Sequence, residues 1–158
     1  MESEFDKEIM EHFIETGRIQ GADESFLKIF AVLYLEPEEM TMEELARKTG
    51  YSLASISNKI KFLESGGVIK KTHKPGSKRI YLYMEKDFLS IMKKQLTIKQ
   101  ERVIGLSKQR LPEIIKKYAG KIKTDKEKKK MRILEEHYKQ VQKAEKIIPQ
   151  IIDLINKA

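Results

Sequence analysis

Between residues 52 and 79 the chain gathers side chains suited to hydrogen bonding and to pairing with phosphate. Ser52, Ser55, Ser57, Asn58, Lys59 and Lys61 fall within ten residues, and Lys74, Lys78 and Arg79 follow shortly after. An amide can bond an adenine edge through two atoms, an ammonium can donate to guanine or phosphate, and hydroxyls serve either target. Catalytic chemistry has no comparable concentration. The three histidines, His12, His73 and His137, stand in unrelated settings. No Ser-His-Asp order, glycine-rich phosphate loop or metal-ligand spacing occurs. Glu38-Glu39 and Glu135-Glu136 are neighbours on a turn or helix, so each pair diverges. The chain is expected not to be an enzyme and to have no catalytic residue, metal site or cofactor.

The elements that must position these groups are legible around them. Thr41-Met42-Glu43-Glu44 fits a capping box and fixes a helix start; Met42, Leu45 and Ala46 give its apolar stripe, and Thr49-Gly50 its stop. Ser52 is a good N-cap for a second helix, whose Leu53, Ile56, Ile60 and Leu63 form the expected buried face. At 100° per residue, Ala54, Asn58, Lys61 and Ser65 lie opposite, flanked by Ser55 and Ser57, so the outward face is small and polar. Gly66-Gly67 ends this helix before alternating runs at 68–72 and 79–84, a hairpin with Ile80, Leu82 and Met84 facing the core. Its turn, Lys74-Pro75-Gly76-Ser77, suits type II, and the charged tip suits a phosphate clamp or a minor-groove arm. The sum is a winged helix-turn-helix, mainly α with a small β component (α+β), and DNA is the expected partner.

Residues 44–88, ELARKTGYSLASISNKIKFLESGGVIKKTHKPGSKRIYLYMEKDF, resemble the DNA-binding core of the MarR superfamily. The KPGSKR wing, the aromatic strand and the acidic-aromatic helix start are similar to its GbsR-like, archaeal-type branch. The resemblance implies that the helix from Ser52 is the recognition helix, with roles for Ser52, Ser55, Ser57, Asn58, Lys59 and Lys61, and that Lys74, Lys78 and Arg79 act in the wing. It also implies a transcriptional regulator, a repressor, working as a homodimer on an inverted-repeat operator and released by a small-molecule effector. Relatives of this branch are associated with choline and osmoprotectant control. Tyr34, Tyr81, Tyr83 and Phe88 would have to converge to cage such a cation; packing is their expected role.

Charge is unevenly spread. Residues 1–46 hold 3 basic and 13 acidic side chains (net −10), residues 47–86 hold 10 and 2 (net +8), and residues 87–158 hold 19 and 9 (net +10). A basic module suits a polyanion, and the acidic segment is expected to lie away from it. With no cysteine, no disulfide framework is available. No apolar run nears the ~20 residues that span a bilayer and no signal-peptide core opens the chain, so the expected location is cytoplasmic, on the nucleoid.

Flanking helices complete the expectation. One spans 3–16 and stops at Gly17, with Phe5, Ile9, Phe13 and Ile14 at helical spacing; another begins after Asp23 and ends before Glu36-Pro37. After Phe88 a long stretch runs to about Tyr118 with a seam of Met92, Leu96, Val103, Leu106 and Ile114, kinked or broken at Pro112. A lysine-rich connector over 119–130 leads to a last helix with a seam of Met131, Leu134, Tyr138, Val141, Ile148, Ile152 and Ile155, interrupted by Glu145. Seams of this length call for a partner subunit. The division expected is 1–20 for an N-terminal dimerisation helix, 21–86 for the DNA-binding domain and 87–158 for long dimerisation helices. The alternative is a winged-helix adaptor that binds protein within a larger transcription assembly.

Overall fold

The computed structural model describes residues 3–19 and 21–158; Met1, Glu2 and Gln20, where the expected 20/21 boundary falls, lie outside the described residues. The chain divides into two compact units, Met1–Ile91 and Met92–Ala158. The first holds α1 (Glu4–Ile19), α2 (Glu24–Leu35), β1 (Met40–Thr41), α3 (Met42–Thr49), α4 (Leu53–Ser65), β2 (Ile69–His73) and β3 (Ile80–Met84). It also contains the start of α5 (Phe88–Ile98).

In the first unit Asp23 caps α2 and Thr41 caps α3 through a complete capping box with Glu44. The antiparallel sheet has the order β1-β3-β2, with Met40 opposite Leu82 and Ile69 opposite Met84. Its core joins Ile29 and Leu33 of α2, Leu45 of α3, Ile56 and Ile60 of α4, and Leu82 and Met84 of β3, all essentially buried. Burying each such side chain contributes roughly 1.5–3 kcal/mol, so this cluster dominates the stability of the unit.

Some expectations for this unit change. Leu53 is 49% exposed because it is the first residue of α4 and overhangs the core that Ile56 begins. Ile80, beside the hairpin's turn, is also exposed, as is Phe5 at the start of α1. Helix α1 does not stop at Gly17. It continues to Ile19, and Gly17 serves packing instead: a Cβ there would sit 2.0 Å from Cδ2 of Leu27. The two-residue β1, too short for any sequence pattern, was not expected.

The second unit holds the rest of α5, a π-helical segment (Lys99–Ile104), α6 (Gly105–Tyr118) and α7 (Asp125–Lys157). Its core is Ile104, Val141 and Ile148, with Leu96, Leu111, Ala144 and Ile152 around them. A strict heptad from Leu96 would bring Val103 inward. The π turn takes up one extra residue, which turns Ile104 inward and leaves Val103 53% and Leu106 57% exposed. Of the α7 seam, Val141 and Ile148 are buried within the chain, while Met131, Leu134, Tyr138, Ile152 and Ile155 are half-buried. Gln100 falls on the shifted seam opposite the polar break in α7: its Nε2 donates to the Glu145 carbonyl at 3.2 Å, and Lys108 pairs with the Glu145 carboxylate. Pro112 does not break the helix: it lies inside α6, which runs on to Tyr118. Helix α7 starts six residues before the expected Met131, at a second capping box of Thr124 and Glu127. Among the described residues no helix is long and apolar enough to cross a membrane.

Candidate nucleic-acid interface

The turn between α3 and α4 is set by local chemistry. Gly50 takes φ 77°, a left-handed conformation that glycine adopts without a Cβ penalty, and its N–H donates to the Ala46 carbonyl. Thr49 is buried and its hydroxyl donates to the Leu45 carbonyl at 2.7 Å. Three residues later the Ser52 hydroxyl accepts from the Ser55 N–H at 3.3 Å and starts α4. Ile56, Ile60 and Leu63 then anchor one side of α4 in the core. Opposite, Ser52, Ala54, Asn58, Lys61 and Ser65 are exposed, while Ser55 and Ser57 are half-buried on the flanks.

Lys59 stands apart from its neighbours. Its ammonium lies 2.6 Å from Asp23 Oδ2 and ties α4 to the cap of α2. Asp23 also accepts from the Ser25 hydroxyl and the Phe26 N–H. The Lys59 hydrogen bond, then these two, hold the Asp23 carboxyl well below the usual carboxylate range. Lys59 is thus a fastening of α4.

The wing has the expected turn: Gly76 takes φ 77° and the Ser77 N–H donates to the Lys74 carbonyl at 3.1 Å. The Ser77 hydroxyl then accepts from the Arg79 N–H at 3.1 Å. Lys78 and Arg79 are exposed at the tip. Lys74 is engaged from two sides, with Glu39 at 3.6 Å and the Tyr81 ring centroid at 4.2 Å. At the wing's base Lys71 pairs with Glu64 of α4 at 2.5 Å, joining hairpin to helix. The unit therefore exposes Ser52, Asn58 and Lys61 on α4 and Lys78 and Arg79 at the wing tip, and engages Lys59 and Lys74 in ion pairs within the chain.

One residue of this face escaped the sequence reading. Phe62 is 66% exposed on the side of α4 that carries Ser55 and Asn58. Its ring meets Phe26 edge-on at 5.5 Å, at the end of a run through Phe30, Tyr34 and Phe13. At 100° per residue Phe62 falls between Ser55 and Asn58 in direction, so the outward face is not wholly small and polar as expected; its aromatic neighbour on α2 has no sequence signal.

The four aromatic residues weighed as a cation cage do not share one opening. Tyr34 and Tyr83 face the chain's own Lys86, whose Nζ lies 5.9 and 5.4 Å from their ring centroids and donates to the Leu33 carbonyl. Burial pushes the Lys86 ammonium below its usual range. Tyr81 faces Lys74, and Phe88 is exposed. Among the described residues no group of three or more His, Asp or Glu is placed to hold a metal ion.

Residues 23–70 match a family model for winged helix-turn-helix DNA-binding, and this part of the chain is a winged helix-turn-helix DNA-binding domain. A crystal structure described as a transcriptional regulator is similar over 97% of this chain and 99% of its own, with a TM-score of 0.70 and 17% identity, a likeness of fold. MepR, a transcription regulator of the Staphylococcus aureus multidrug efflux pump MepA, is 11% identical over 87% of this chain and 93% of its own, with a TM-score of 0.42. No curated protein matches the sequence.

Proposed function

We propose that the chain is a sequence-specific, double-stranded DNA-binding transcriptional regulator, a repressor of the MarR superfamily in its GbsR-like branch, acting in the cytoplasm on the nucleoid. The observation that carries this is the pairing of an exposed polar face on α4, with Asn58 and Lys61, and an exposed cationic wing tip, with Lys78 and Arg79, in one domain. Asn58 and Lys61 read base edges, while the wing cations neutralise phosphates. In this reading residues 21–86 are the DNA-binding domain, and residues 1–20 and 87–158 supply a homodimer interface. Support for the dimer comes from apolar side chains that the second unit leaves uncovered, Leu106, Ile133, Ile147 and Leu154, and from the opposite charges of residues 1–46 and 87–158. A two-fold dimer presents two recognition helices about 34 Å apart and selects an inverted repeat. A small-molecule effector belongs to the reading through the MarR resemblance alone, and Tyr34 and Tyr83 are excluded from its site because Lys86 occupies their faces.

The test is a mobility shift of the gene's own upstream DNA at several salt concentrations, with light scattering for the oligomeric state. Asn58→Ala should flatten discrimination among sites, whereas Lys78→Ala or Arg79→Ala should weaken every site and lower the salt slope by about 1 each. A protein that retards no duplex refutes the reading.

A further inference from the structure

The turn between α6 and α7 carries more positive charge than the winged head has free. Residues 116–132 hold nine basic and two acidic side chains, a net of +7 where the whole chain has +8. All nine are exposed. Among the described residues their ion pairing is confined to Lys128 with Asp125, at 3.3 Å. The other acid, Glu127, is committed to the cap: it accepts from the Lys123 and Thr124 N–H groups and from the Thr124 hydroxyl at 2.9–3.2 Å. Such an arrangement works against its own helix. Cations near an N-terminus oppose the helix dipole, and Lys126–Lys130 and Lys128–Arg132 are like-charged pairs one turn apart. The Thr124 capping box and the Asp125 carboxylate hold the start of α7 in spite of this.

We infer that this tip is a second, sequence-independent binding surface for the phosphate backbone of duplex DNA, formed by Lys126, Lys128, Lys129, Lys130 and Arg132. The inference rests on the DNA-binding reading above and extends it to the second unit. Compact ammonium groups on flexible stems suit phosphates met in no fixed register, and counterion release supplies the affinity. An anionic membrane is the poorer fit: the first six residues of α7, DKEKKK, include no apolar side chain, and a helix lying in a bilayer interface needs one face of them.

The test uses the full chain, a duplex of scrambled sequence and the quadruple variant K126Q/K128Q/K129Q/K130Q, with circular dichroism to confirm helix content. The plot of log affinity against log salt should become shallower by about 3, and affinity near 0.1 M salt should drop at least ~10-fold. A variant that keeps the parent slope and affinity, while the parent binds DNA, overturns the inference and leaves the DNA-binding reading standing. A parent that binds no duplex overturns both. If the variant loses binding to phosphatidylglycerol vesicles but keeps its DNA slope, the surface belongs to membranes and the inference is overturned.

Discussion

The Lys59 ammonium and the Asp23 carboxylate, 2.6 Å apart, join α4 to the N-cap of α2. A lysine one residue from Asn58 is thereby withdrawn from the exposed face and used to set the helix that carries that face. The sign of its pH effect follows. Asp23 is held below its ordinary range, so its contribution is complete above the unfolded value near 3.8 and is lost as pH falls through the lower folded value. Thermal melts of parent and Asp23→Asn should differ by a constant amount above about pH 5, and the gap should narrow steadily as pH falls from about 4 toward 2. Both groups are partly exposed, so salt should shrink the gap. A constant gap across the range assigns the effect to the neutral cap alone.

Phe62 and Ile60 lie two residues apart on α4, one 66% exposed and the other 1%. Ile60→Ala should cost ~2–5 kcal/mol through lost contact and a cavity, whereas Phe62→Ala should cost under about 1.5 kcal/mol because only its edge contact with Phe26 is lost. Urea unfolding checks both. A larger cost for Phe62→Ala contradicts the assignment of its ring to the surface.

The wing and the helix-turn-helix were legible because each part has a strong local signal: the capping box at Thr41, the N-cap at Ser52, and proline followed by glycine at the hairpin turn. Thr124 and Glu127 repeat the Thr41–Glu44 spacing, yet the lysines around them read as a solvated connector, so the start of α7 was set at Met131. The seam of α5 and α6 was misplaced for a different reason. Periodicity presumes one residue spacing throughout, and a π turn changes the phase of everything beyond it, bringing Ile104 inward in place of Val103. Ion pairing between distant segments has no sequence period, so the engagement of Lys59 by Asp23 and of Lys74 by Glu39 was out of reach.

Gln100 on the shifted seam offers a stabilising change. Its Nε2 is bonded to the Glu145 carbonyl, but its Oε1 is buried with no partner. An unmet buried acceptor costs ~1–3 kcal/mol, and a leucine of similar length removes it. Gln100→Leu should therefore raise stability by about 1 kcal/mol, the lost Nε2 bond offsetting part of the gain. Urea midpoints at an unchanged slope would show it; a fall in the midpoint means that the polar pair holds the seam in register.

Gly17 and Leu27 make the tightest test of the packing between α1 and α2. Alanine is the better helix former by ~1 kcal/mol, so an exposed glycine at this position would gain from the change. Here the new Cβ would lie 2.0 Å from Cδ2 of Leu27, a side chain only 4% exposed, and the overlap must move one of the two helices or the leucine. Overpacking of this kind costs ~1–3 kcal/mol, which outweighs the propensity gain and leaves Gly17→Ala less stable by about 1 kcal/mol. The double variant Gly17→Ala/Leu27→Ala should fall well short of the sum of its single costs, because the second change vacates the space that the first invades. Additive costs in that cycle would mean that α1 and α2 do not approach each other at Gly17.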